Sequence, residues 1–124
     1  HENISLQANI SVEQLDKLIE NAQINVLPTF QPTGIKLKLL SALYKGRFCV
    51  VNNYMVENTG LEPLCIVADS AEEMKKSIET TKNIEFTATA IENRTHALNK
   101  AFSNLRNAQY LVDQMIPITV SEKA

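Results

Sequence analysis

The chain has 124 residues, enough for one domain with a continuous core, and its 44% hydrophobic and 21% charged residues are ordinary for a globular protein. A net charge of −2 gives no overall pull toward nucleic acid or anionic lipid, so any anion site has to be local. The absence of tryptophan excludes a carbohydrate platform of exposed indole rings. No apolar run reaches the roughly 18 residues of a membrane span and no secretory signal pattern is present, so the expected location is the cytoplasm, or the inner membrane surface through a parent protein.

In chain order, a strand-like segment runs from Ile4 to Ile10, almost from the first residue and with no initiator Met before it. A piece cut from a longer protein is the expectation. Ser11-Val12-Glu13-Gln14 reads as a capping box, in which Ser11 caps a helix and Gln14 reaches back. That helix carries Val12, Leu15, Leu18, Ile19 and Ala22 at helical spacing. Ile24–Pro28 is a short apolar strand expected to be buried on both faces. Beyond a Pro/Gly turn, Ile35–Lys45 is a helix with apolar residues on more than one side, hence sandwiched, and Gly46 stops it.

Phe48–Val51 is the next buried strand, and Asn52-Asn53 takes the chain off its carboxyl end. Gly60 and Pro63 mark Tyr54–Pro63 as irregular loop, and Leu64–Ala68 as a further strand that Asp69 ends. Ser70-Ala71-Glu72-Glu73 is a second capping box, opening a helix through Met74 and Ile78, with a polar break at Thr80–Asn83. From about Thr87 to Ile116 the apolar spacing is helical again. Strands alternating with helices imply a parallel sheet with crossover connections. The expected fold class is therefore α/β: about four short strands of a Rossmann-like parallel sheet flanked by helices, ending in a helical C-terminal segment. The chain reads as one partial domain over 1–124, with the α/β part at about 1–84 and the helices at about 85–124.

A loop joining the end of a parallel strand to a helix N-terminus is where open α/β sheets bind ligands. The first such loop is Thr29–Ile35. Gly34 lets the backbone approach a ligand, the free N–H groups of the first helical turn favour an anion, and Lys36 and Lys38 add charge. Phosphate is the candidate, although no GxxxxGK[ST] loop is present, and a solvated helix start with two incidental lysines accounts for the same spacing. The second loop holds Asn52 and Asn53, then Glu57-Asn58-Thr59-Gly60-Leu61, whose amides and carboxylate suit sugar hydroxyls or plain turn geometry. Cys49 and Cys65 lie in strand-like runs and read as buried reduced core thiols, with a disulfide or a reactive thiol as the alternative. His1 and His96 lack metal-site spacing, no nucleophilic triad is readable, and Lys36, Lys38, Lys45 and Arg47 lack the interleaved aromatics of a nucleic-acid surface.

Taken together, these pieces resemble the C-terminal nucleotide-sugar-binding domain of GT-B fold glycosyltransferases, in the retaining family often labelled glycosyltransferase group 1. Its signature, an apolar strand ending in LP, a short loop, G-x-[RK]-L-K-x-L-E-A, a helix, G and a strand, stands here as Val26-Leu27-Pro28, Gly34-Ile35-Lys36-Leu37-Lys38-Leu39-Leu40-Ser41-Ala42, Gly46 and Cys49-Val50-Val51. The family's EGL piece and A-D-[DS]-x-E-E helix start correspond to Glu57–Leu61 and Ala68–Glu73. The likeness spans nearly the whole chain, in order and spacing.

The resemblance implies a fragment of an enzyme that moves a sugar from a nucleotide diphosphate donor to an acceptor bound by an N-terminal domain outside these residues. It implies backbone contacts from Thr33, Gly34 and Ile35 to the donor, charge balance from Lys36 and Lys38 instead of a metal cofactor, and a pocket border at Asn53 and Glu57–Leu61, Gly60 included. Ser41 stands where the family commonly has a glutamate for the donor ribose, so its contact is shorter. A non-catalytic binding or scaffold module derived from the same fold is the alternative. The partner implied is the nucleotide-sugar donor, not nucleic acid, and a truncated sheet edge invites self-association.

Overall fold

The computed structural model describes residues 2–33, 36–102, 107 and 111. The chain divides into two compact units, His1–Phe86 and Thr87–Ala124.

The first unit opens with α1, Val12–Asn21, and both halves of its capping box form. The Gln14 N–H donates to Ser11 Oγ at 3.2 Å, and the Ser11 N–H donates to Gln14 Oε1 at 2.9 Å. The apolar spacing specifies the helix but not its burial: α1 has no buried residue, and Val12, Leu15 and Leu18 are 71%, 48% and 48% exposed. Strand β1, Ile24–Leu27, follows, then α2, Leu37–Lys45, and β2, Phe48–Val51. A short helix α3, Asn53–Val56, and a 3-10 turn, Glu62–Leu64, lead to β3, Ile66–Val67, and then to α4, Ala71–Thr81.

The sheet has three strands in the order β1-β2-β3, all parallel, with Ile24 opposite Phe48 and Val50 opposite Ile66. Because β2 is laddered on both sides, Cys49, Val50 and Val51 are almost fully buried, joined by Leu39, Ala42 and Leu43 of α2 and Met55 and Val56 of α3. The fold is therefore α/β, a small three-stranded parallel sheet with helices, and this is consistent with a Rossmann-like piece. Phe48 and Phe86 meet edge-to-face at 4.9 Å and 77°, an arrangement that suits the ring quadrupoles. Gln23 Nε2 donates to the Ile84 carbonyl at 2.6 Å, tying the residues after α4 to the start of β1.

Gly46 ends α2 with φ −96°, so no left-handed conformation requires it. Space does: a Cβ there would lie 2.5 Å from Asn25 Nδ2 and 2.9 Å from the Ala42 carbonyl. Asn25 reaches that position while donating to the Ile19 carbonyl at 3.3 Å.

Several expectations need correction. Residues 4–10 form no strand, and Ile4 and Leu6 are 73% and 91% exposed, because no neighbouring strand offers them a ladder. The described sheet accordingly has three strands, not four. β1 is half-buried rather than covered on both faces, since it is the last strand of the sheet. α2 is covered on one side only, with Leu37 and Tyr44 exposed. Residues 54–63 are not all irregular: α3 and the 3-10 turn occupy half of them, linked by a turn in which Asn58 and Gly60 take positive φ. The third strand is two residues, not five. At α4 only half of the capping box closes on Ser70, whose Oγ accepts from the Glu73 N–H, while the Glu73 carboxylate instead takes the Asp69 N–H.

In the second unit α5 spans Ala88–Phe102, and Thr87 Oγ1 accepts the Ala90 N–H at its start. Arg94 and Leu98 are its buried residues. The helical expectation for 103–116 falls mostly outside the described residues.

Candidate functional site at the carboxyl edge of the sheet

All three strands run the same way, so the residues that follow them share one edge. Thr29 comes two residues after β1, Asn52 directly after β2 and Asp69 two residues after β3. Hydrogen bonds stitch these exits together. The Asn52 side chain accepts the Thr29 N–H at 3.0 Å and donates to the Thr29 carbonyl at 2.6 Å, satisfying both backbone groups as a strand neighbour would. Asp69 Oδ1 accepts the Asn53 N–H at 2.7 Å. Behind it the Asp69 N–H is held by Glu73, and the Ala68 N–H donates to the Val51 carbonyl at 2.7 Å.

These exits border an open cleft of about 340 Å³, lined among the described residues by Asn52, Asn53, Tyr54 and Asp69. Two side-chain amides, one carboxylate and a half-exposed phenol make a wall rich in donors and acceptors with a ring beside it. Such a wall suits a neutral polyhydroxylated ligand better than a bare anion, because its single charged lining group is negative. Its position beyond the carboxyl ends of parallel strands is the general ligand position of open α/β sheets.

Of the predicted donor-site residues, Asn53 lines this cleft. Thr33 is exposed in the first loop, while Gly34 and Ile35, the centre of the predicted phosphate cradle, lie outside the described residues. Lys36 is the N-cap of α2, and its ammonium donates to the Gln31 carbonyl at 2.8 Å and the Thr33 carbonyl at 3.4 Å. Lys38 donates to the Pro28 carbonyl at 3.5 Å. Both ammonium groups are therefore bonded to carbonyls of the loop that precedes α2. Ser41 is half-buried in the middle of α2.

The second loop is more structural than its composition suggests. Leu61 is 3% exposed and belongs to the core. Gly60 supplies the left-handed turn with φ +73°, and nothing lies within 4 Å of the Cβ it lacks. Thr59 closes the turn, bonding the Val56 carbonyl through its hydroxyl and accepting the Leu61 N–H at 3.0 Å. Glu57 is an exposed C-cap of α3.

Tyr54 and Asp69 were absent from the predicted site. Asp69 reads in the sequence as a strand terminator and Tyr54 as the start of a loop; the signal that unites them is that both lie just beyond a parallel strand's carboxyl end. Among the described residues no group of three or more His, Cys, Asp or Glu side chains could hold a metal ion, and no helix is long and apolar enough to cross a membrane. Cys49 is buried and Cys65 half-buried, and neither is in a disulfide.

No protein-family model, curated protein or solved structure matches this chain.

Proposed function

We propose that this chain is part of a GT-B fold glycosyltransferase and forms one wall of its nucleotide-sugar donor site. The observation that carries this reading is the hydroxyl-suited cleft of Asn52, Asn53, Tyr54 and Asp69 at the carboxyl edge of a parallel sheet, in a chain whose motifs resemble that family in order. In this reading the amides and the Asp69 carboxylate hold hydroxyls of the donor sugar. The loop at Thr33, Gly34 and Ile35 receives the diphosphate on backbone N–H groups, and Lys36 and Lys38 exchange their carbonyl partners for phosphate oxygens. Ser41 lies where a donor ribose is met in the family.

The chemistry follows from charge. The bond between the anomeric carbon and the diphosphate oxygen breaks, the diphosphate keeps the electron pair, and an acceptor oxygen bonds to that carbon and releases its proton. The lysines offset negative charge as it builds on the leaving group. In this reading the acceptor is bound by an N-terminal domain outside these residues, and the residues here bind the donor.

The second reading, a binding or scaffold module without donor chemistry, is favoured by Ser41 and by the two ammonium groups bonded to their own loop. Calorimetric titration with UDP and GDP separates the two. The donor-site reading expects binding of at least one diphosphate, weakened by added salt and lowered about tenfold or more by Lys38→Ala, as for loss of a charge-assisted hydrogen bond. It also expects Ser41→Glu to tighten binding. No binding of either nucleotide at millimolar concentration overturns it.

A further inference from the structure

The two cysteines of the chain lie on neighbouring strands. The parallel register of β2 and β3 sets Val50 opposite Ile66 and Val51 opposite Val67. One step back along that register, Cys49 stands opposite Cys65. Cys65 is already extended, at φ −124° and ψ 161°, so the step is taken in strand geometry. The Ala68 N–H donates to the Val51 carbonyl, which turns the backbone groups of Ile66 and Ala68 toward β2 and those of Cys65 and Val67 away. The Cys65 N–H is accordingly bonded to the Glu62 carbonyl at 3.1 Å. Opposite residues of a parallel pair send their side chains to the same face of the sheet. Neighbouring strands lie about 4.8 Å apart, inside the roughly 4.4–6.8 Å that a disulfide spans between Cα atoms. Cys49 and Cys65 are not in a disulfide here; Cys49 is 2% exposed and Cys65 is half-buried.

We propose that Cys49 and Cys65 are an oxidation site: a hydroperoxide converts them to a reversible cross-strand disulfide that staples β3 to β2. Cys65, the more accessible thiol, reacts first. Its thiolate attacks one peroxide oxygen, the O–O bond breaks, and the other oxygen leaves as an alcohol or water with the thiol's proton. Cys65 is then a sulfenic acid. The Cys49 sulfur attacks the Cys65 sulfur, the S–O bond breaks, and water leaves with the Cys49 proton. The two thiols lose two electrons and two protons in all, and the peroxide takes them up. Thiol exchange with a small dithiol reverses the bond. The staple acts on a short element: β3 has two residues, and its ladder to β2 begins where the cysteines stand. This inference is independent of the donor site, since neither cysteine lines the cleft.

Treating the folded chain with hydrogen peroxide and mapping its peptides by mass without reduction tests it. The expected product is a Cys49–Cys65 disulfide within one molecule, lighter than the starting chain by two hydrogens and restored by dithiothreitol. Amide exchange at Ile66 and Ala68 slows about tenfold or more in the oxidised chain, because the staple opposes local opening of β3. Cys49→Ala halts the reaction at a Cys65 sulfenic acid that dimedone traps, and Cys65→Ser leaves Cys49 unoxidised. The mapping and exchange on the unsubstituted chain decide the matter even if a variant fails to fold. The proposal is overturned if both thiols stay open to alkylation after peroxide, or if Cys65 passes to the sulfinic acid with Cys49 untouched. A disulfide that joins two copies, or that forms only in urea, overturns it as well, as does unchanged exchange at both amides.

Discussion

β1 and β2 are equally short, INVL against FCVV, and apart from Asn25 both are apolar, yet they are buried to different degrees. β2 lies between two strands and its last three residues are at most 2% exposed, whereas β1 ends the sheet and stays half-covered. Their exits differ in the same sense. Asn52 and Asn53, leaving β2, are fixed by bonds to Thr29 and Asp69. The loop leaving β1 shares the Asn52 bonds at Thr29, and its remaining side-chain ties are two lysine ammonium groups on its own carbonyls. Place in the sheet, not the composition of a four-residue run, decides how firmly a strand and its loop are held.

The sharpest way to break this comparison is to truncate the same side chain in both strands. Val50→Ala should cost about 2–3 kcal/mol, from lost apolar burial plus a cavity, while Val26→Ala should cost under about 1 kcal/mol. Urea unfolding measures both, and equal losses would show that the two strands are held alike. Next in size, Asn52→Ala should cost about 1–3 kcal/mol by leaving both Thr29 backbone groups unpaired. Faster amide exchange at Thr29 is its specific mark, and an unchanged rate there would mean the stitch does not hold the loop. Smaller again, Ser70→Ala should remove about 1 kcal/mol through loss of the α4 cap.

The smallest effect lies at the exposed carboxyl end of α4. Glu79 is held below the usual carboxylate range, first by its hydrogen bond to Lys82 and then by the charges of Lys82 and Lys75. A depressed folded-state value means that its contribution is present above the ordinary glutamate pKa and fades as pH falls through the lowered one. The pair is exposed, so salt should erase most of it. An NMR titration of Glu79 with and without Lys82→Met checks the direction.

Local signals were legible where one residue's chemistry settles the outcome. Both serine caps form, Gly46 ends its helix, and Phe48–Val51 is a buried strand. What depended on neighbours was not legible. Residues 4–10 have strand-like content but no ladder partner, and α1 has an apolar stripe that nothing in its own sequence obliges to be covered. At the edge of the sheet, Asn52, Asn53 and Asp69 each looked like turn residues. Their convergence required the parallel register of β1, β2 and β3, which joins positions 29, 52 and 69 across 40 residues of chain. Glu57–Leu61 looked like a pocket border but carries a core leucine and a self-closing turn.

The central claim is that the carboxyl edge of this sheet receives a nucleotide-sugar donor, and amide chemical-shift mapping during titration with UDP-sugar and GDP-sugar tests it most directly. A donor at this edge gives saturable shifts at Asn53, Tyr54 and Asp69 together with the α2 start at Lys36 and Lys38, and an Asn53→Ala, Asp69→Ala variant loses those at the cleft. Shifts confined to other faces, or no saturable shift with any donor at millimolar concentration, would contradict it.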